Sequence, residues 1–131
     1  MLFLLDTNAV IALLNDGASK LARRARQYSP ADVGISAIVS HELFYGAFKS
    51  KRAERNLALV DSLQFEVVDF DKEDSRHAGA IRAALGALGS TIGPFDVLIA
   101  GQARSRGLTL VSHNAREFSR VPGLRFEDWE T

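Results

Sequence analysis

The chain contains no cysteine, so neither a disulfide framework nor a thiolate metal site is open to it. It also lacks an excess of either charge, with 16 lysines and arginines against 16 aspartates and glutamates. Holding a polyanion through a diffuse basic field is therefore excluded, and any contact with nucleic acid has to use local clusters. Three clusters stand out: Arg23, Arg24 and Arg26; Lys49, Lys51, Arg52 and Arg55; and Arg104 with Arg106. Each serves equally well as a solvated helix face. Long hydrophobic runs are missing too. The opening Met1-Leu2-Phe3-Leu4-Leu5 reaches Asp6 at once, too short for a signal-peptide core or a membrane span, and no basic segment precedes it. The expectation is a cytoplasmic protein that is neither exported nor membrane-bound.

The 131 residues suffice for one domain, 1–131, with a continuous core and a cleft at its edge. Apolar residues from Leu2 to Leu5 read as a buried strand, and helical patterns follow to Leu14 and from Ala18 to Tyr28, separated by the Asn15-Asp16-Gly17 turn. Val33 to Ser36 reads as a second strand, followed by helices over Ile38–Phe48 and Ala53–Leu63. A third strand covers Phe65 to Phe70. The long helix from Lys72 to Leu88 sets Ala80, Ile81, Ala84, Leu85 and Leu88 on one face. Pro94 suits a first helical turn, the helix it opens runs to Arg106, and Gly107 stops it. Leu108 to Val111 is a fourth strand, Ser112 to Phe118 holds a turn with one helical turn, and the tail from Leu124 to Trp129 adds a last short strand. Strands alternating with helices predict a three-layer α/β/α domain around a mainly parallel sheet.

In such sheets ligands sit outside the carboxyl ends of the strands. Asp6 follows the first strand, Glu42 lies early in the helix after the second, and Asp96 is in the first turn of the Pro94 helix. Asn114 and Glu117 come just after the fourth strand. Oxygen donors of this kind suit hard cations such as Mg²⁺ and Mn²⁺. Each position also has an ordinary use: Asp6 as a helix cap, Asp96 as a first-turn acid facing the helix dipole, Asn114 with Glu117 as a capping box, and Glu42 as a surface residue. His41 and His77 read as surface or boundary residues, whereas His113 adjoins the acidic edge, where a loop position explains it as well as a substrate contact does. Trp129 and the phenylalanines read as core.

The surroundings of these acids carry a resemblance. Leu4-Leu5-Asp6-Thr7-Asn8 resembles the opening motif of PIN domains, and Ser36-Ala37-Ile38-Val39-Ser40-His41-Glu42-Leu43-Phe44-Tyr45-Gly46 resembles the second. Ile92-Gly93-Pro94-Phe95-Asp96-Val97-Leu98-Ile99-Ala100 looks like the third. Leu110 to Asn114, with Arg116-Glu117-Phe118 and Val121-Pro122-Gly123-Leu124, looks like the fourth, with the tail usual in VapC-type toxins. The likeness runs nearly end to end, in order and in register.

That resemblance implies a metal-dependent endoribonuclease, the toxin of a toxin–antitoxin pair. Asp6 and Asp96 would be Mg²⁺ (or Mn²⁺) ligands, and Glu42 would hold or activate a metal-bound water. Asn114 completes the implied centre, with Thr7, Ser112 and Glu117 in supporting positions. The fourth motif departs from the family, with Ser112-His113 where Thr-Asn is common and Asn114 where aspartate often stands. The implied partners are an RNA substrate, a VapB-type antitoxin whose tail covers the cleft, and a second copy in a homodimer. A non-catalytic PIN-like module that binds RNA or protein is the alternative, and it would need a disabled acidic centre. A phosphatase or phospho-acceptor domain would need a further acid or basic partner beside Asp6, and Asp6-Thr7-Asn8 supplies neither.

Overall fold

A computed structural model describes residues 1–131. In chain order the elements are β1 (Phe3–Leu5), α1 (Thr7–Asn15), α2 (Lys20–Ala25), β2 (Val33–Ser36), α3 (Ala37–Lys49), α4 (Ala53–Asp61), β3 (Glu66–Val68), α5 (Lys72–Ala87), α6 (Pro94–Ser105), β4 (Thr109–Val111), α7 (Ala115–Phe118) and β5 (Phe126–Glu127). The five strands form one sheet in the order β3-β2-β1-β4-β5, and every pairing is parallel. The sheet is thus wholly parallel rather than mainly so. Its order reverses at β1, between β2 and β4, and a crevice opens at the carboxyl end of such a switch point.

Local chemistry sets the boundaries. Ser19, Ser36 and Asp71 cap α2, α3 and α5 through their side-chain oxygens, and Asp71 and Asp74 close a reciprocal capping box. Gly107, at φ 65°, stops α6 as expected: its amide donates to the Arg104 carbonyl and that of Leu108 to the Ala103 carbonyl. The central strand β1 is buried on both faces, as flanking helices require. Phe3 meets Tyr28 and Trp129 with ring centroids 4.6 and 4.9 Å away, which anchors the tail against the first strand.

Two readings of the apolar pattern are corrected. On α5 the buried stripe is Asp74, Ala78, Ile81 and Leu85, so Ala80, Ala84 and Leu88 face outward. The partner helix decides this, because α6 packs on α5 so closely that a Cβ on Gly101 would come within 2.6 Å of Ala78 backbone atoms. Trp129 is core as expected, but Phe48 and Phe95 are 68% and 43% exposed.

The α5–α6 crossing also encloses a charge. Asp74 is fully buried and accepts from Arg106 (3.0 Å) and from the Gln102 amide (3.1 Å). Burial pushes its carboxyl up, but bonds from Arg106, the Asp71 backbone, Gln102 and Ser105 outweigh this and hold it below the usual range. Arg104 is likewise turned inward, onto His77 and the Pro122 carbonyl. Arg104 and Arg106 thus spend most of their donors on the protein itself, although Arg106 stays partly open to solvent. Their bonds brace the α5–α6 crossing from its rim. Arg24 is partly engaged as well, with Glu127 at 3.3 Å and the Trp129 ring beneath it. Lys49, Lys51, Arg52 and Arg55 stay exposed, although Lys49 lies over the Tyr45 ring. No helix is long and apolar enough to cross a membrane.

Candidate active site

Strand β1 ends one residue before Asp6, and its neighbour β4 ends one residue before Ser112, because Leu5 and Val111 are in register. The Asp6 amide donates to the Val111 carbonyl at 3.0 Å, which sets the two strand ends side by side at the switch point. Asp6 is almost buried, and its Oδ1 accepts the Ala9 amide at 2.8 Å. It is therefore a helix cap, with its other oxygen free of that bond. Burial raises its pKa, bonds from Ser112 and the Ala9 amide oppose the rise, and the charges of Glu130 and Glu42 add to it.

Glu42 sits one turn into α3, half-buried rather than on the open surface. Its Oε1 accepts the Thr7 hydroxyl at 2.8 Å, which ties the start of α1 to α3. α3 also packs on α6, and the His41 and Phe95 rings lie 5.3 Å apart. Each ring adjoins an acid in sequence, Glu42 and Asp96. The Asp96 carboxyl is pushed up to about 7, first by burial, then by a hydrogen bond and charge from Glu117, then by the charges of Asp6 and Glu42. The structure thus brings together carboxylates from β1, α3, α6 and α7.

Asn114 caps α7, accepting the Glu117 amide at 3.4 Å. The capping box expected here forms only in part. The Asn114 side-chain amide donates to Glu117 Oε2 at 2.9 Å, while the Asn114 backbone amide goes to the Ser112 hydroxyl at 2.9 Å. Asn114 aims Glu117, and Glu117 is the acid that meets Asp96.

Sequence reasoning missed the tail. Because β5 pairs with β4, the residues after it return to the same edge, where Glu130 joins Asp6, Asn8, His113 and Asn114 around an open cleft of about 340 Å³. Applying the strand-end rule to the last strand would have found Glu130 and Asp128. His113 Nδ1 lies 2.9 Å from Asp128 Oδ2, and that bond, then the Asp128 and Glu130 charges, raises its pKa. His41 is exposed, and His77 accepts the Arg104 Nε–H at 2.9 Å.

No lysine or arginine is paired with Asp6, Glu42, Asp96, Glu117 or Glu130. Crowded carboxylates without a cationic side chain suit a hard divalent cation, which relieves their repulsion through oxygen ligands. The donor set fits. His113, Asp128 and Glu130 also bring three donor atoms within 4.8 Å of one another, but there the Asp128–His113 bond already engages Nδ1.

An acid-lined crevice at the switch point of a parallel sheet defines the class of protein, and comparison narrows it. The PIN domain family matches residues 3–124. A tRNA(fMet)-specific endonuclease VapC of Salmonella typhimurium is 44% identical over 129 residues, 97% of each chain. Ribonuclease VapC2 of Haemophilus influenzae is 40% identical over 129 residues, again 97% of each. The crystal structure of DNA-bound VapBC from Salmonella typhimurium aligns with a TM-score of 0.93 at 45% identity, covering 98% of this chain and 99% of that one. The chain belongs to the PIN-domain family, in its VapC ribonuclease branch.

Proposed function

We propose that Asp6, Glu42 and Asp96 hold a divalent cation, Mg²⁺ or Mn²⁺, and that the cleft around them hydrolyses RNA. The chain is a VapC-type ribonuclease, the toxin of a toxin–antitoxin pair, and metal dependence with these ligands is our reading of its centre. One observation carries it: an Asp96 carboxyl raised to about 7 by burial, by Glu117 and by the charges of Asp6 and Glu42, with no cationic side chain paired to any of them. The alternative of a non-catalytic module needs a disabled acidic centre, and all three acids are present.

When bound, a divalent cation supplies Lewis acidity, making water a better nucleophile and countering charge that develops on the phosphate oxygens. The chain's residues do the positioning. The Ala9 amide and the Ser112 hydroxyl orient Asp6, and Asn114 orients Glu117 toward Asp96. Thr7 occupies Glu42 Oε1 and leaves Oε2 to take a proton from the attacking water. The water oxygen bonds to phosphorus, the bond to the 3′ oxygen breaks, and the products are a 5′-phosphate and a 3′-hydroxyl.

The substrate we favour is initiator tRNA, from the name of the Salmonella relative that is 44% identical over nearly the whole chain. For the antitoxin, an apolar groove of about 570 Å³ beside the early helices and the segment that leads into β3, lined in part by Leu13, Leu14, Ala22, Ala25, Leu63 and Phe65, suits an amphipathic helix, while the tail that covers the acidic cleft would lie at the other edge of the sheet. For a homodimer, Tyr45 and Phe48 on α3 and Phe95 on α6 offer exposed aromatic surface. The experiment is cleavage of initiator and elongator tRNA with Mg²⁺, Mn²⁺ or chelator. Asp6→Asn and Asp96→Asn should each lose more than about tenfold in rate with circular dichroism unchanged. Undiminished cleavage in both variants would refute the assignment.

A further inference from the structure

The cleft holds one group that the centre described above does not use. The His113 side chain lines the same opening as Asp6, Asn114 and Glu130. Asp128 holds the ring through Nδ1 at 2.9 Å. That is the ring's one hydrogen bond, so Nε2 has no partner within the protein. The arrangement selects a tautomer: with Nδ1–H committed to the carboxylate, Nε2 is the atom that exchanges protons with whatever enters the cleft. Three acids face the ring: Asp128 and Glu130 from the tail after β5, and Asp6 from the end of β1. All three favour the imidazolium. Among the residues lining this opening, His113 carries the only imidazole; the others are carboxylates and amides.

Cleavage that leaves a 3′-hydroxyl needs such a proton. The departing 3′ oxygen is a poor leaving group as an alkoxide, and Asp6, Glu42 and Asp96, once they hold a cation, are ionised and cannot supply a proton. We infer that His113, held by Asp128, protonates the leaving 3′ oxygen through Nε2–H during RNA cleavage. The inference rests on the ribonuclease reading above and adds a second proton transfer to it. Water attacks phosphorus and gives its proton to Glu42. The electron pair of the breaking P–O3′ bond goes to the 3′ oxygen, which takes the Nε2 proton. Solvent then reprotonates the imidazole and takes up the proton left on Glu42, so atoms and charge balance over one turnover. Asp128 touches no substrate in this scheme and is a positioning residue.

A sulfur-bridged substrate tests this directly. In an oligoribonucleotide whose scissile 3′ oxygen is replaced by sulfur, the leaving thiolate is stable without a proton. His113→Asn keeps a side-chain amide to donate to Asp128 while deleting Nε2. With Mn²⁺ present, this variant should cleave the oxygen-bridged RNA about a hundredfold more slowly than the unsubstituted protein, yet stay within about threefold of it on the sulfur-bridged one. Asp128→Asn should show a smaller loss with the same rescue. Its kcat/KM profile should also lose activity at a lower pH on the alkaline side, because the ring loses the carboxylate that favours its charged form.

Equal losses on both substrates would overturn the proposal in favour of simple phosphate binding, and no loss on either would overturn it outright. An unsubstituted protein that cleaves neither substrate would instead sink the ribonuclease reading, and this proposal with it. Thermal midpoints of both variants, expected within a few degrees of the parent, separate misfolding from lost proton transfer.

Discussion

The Thr7 hydroxyl donates to Glu42 Oε1 at 2.8 Å across 35 positions of sequence. Asp6 is the preceding residue, so one short segment caps α1, contributes an acid and fixes an oxygen of the acid on α3. Thr7→Val keeps the shape of the side chain and removes the donor. It is expected to lower the cleavage rate about 10- to 100-fold, as removal of ligand-orienting bonds does, with Thr7→Ser close to the parent. A rate unchanged in Thr7→Val would mean that Glu42 needs no fixed orientation.

Asp96 makes the unliganded protein sensitive to alkali. Its pKa is about 7 in the fold and near 3.8 in the unfolded chain. Its protonated form is therefore favoured by folding, and the stability this brings is complete below about pH 4 and lost as pH rises through 7. The thermal midpoint without divalent ions should fall between pH 5 and 8, and Asp96→Asn should flatten that slope. Adding Mn²⁺ at pH 8 should raise the midpoint of the parent more than that of the variant. A slope shared by parent and variant would show that another group governs it.

Asp74 behaves in the opposite sense. Its folded pKa lies below the ordinary value, so its contribution is present above that value and disappears as pH falls through the folded one. Arg106→Gln leaves a fully buried carboxylate without its guanidinium partner and should cost on the order of 2 kcal/mol at pH 7. The acid-unfolding midpoint should move upward as well. Urea titrations at pH 7 and pH 4 measure both effects.

Gly101→Ala sets two effects against each other. Alanine favours a helix interior by about 1 kcal/mol, but here the new methyl meets Ala78 backbone atoms at 2.6 Å, which no rotamer relieves. Steric crowding should win, with a net loss of about 1–3 kcal/mol in chemical denaturation. A stabilised variant would mean that α5 and α6 separate more easily than their packing suggests.

The order of the elements and the parallel sheet were legible in the chain because alternating apolar strands and capped helices are local patterns. Gly107, Pro94 and the Ser and Asp caps act within a few residues of themselves. The positions of Asp6, Glu42 and Asp96 after strands or at helix starts were local signals too, strengthened by a resemblance that ran through four motifs. Local pattern failed wherever a partner element made the decision. α6 chose which face of α5 is buried, Asp74 and Asp71 paired with Arg106, and β5 carried Asp128 and Glu130 to a cleft whose first acid lies more than a hundred positions away. The same holds for charge: residue identity says which groups can titrate, but the fold alone says which of them crowd together in partly desolvated surroundings. Desolvation and Coulomb repulsion depend on distance through the folded molecule, and distance along the chain does not encode it.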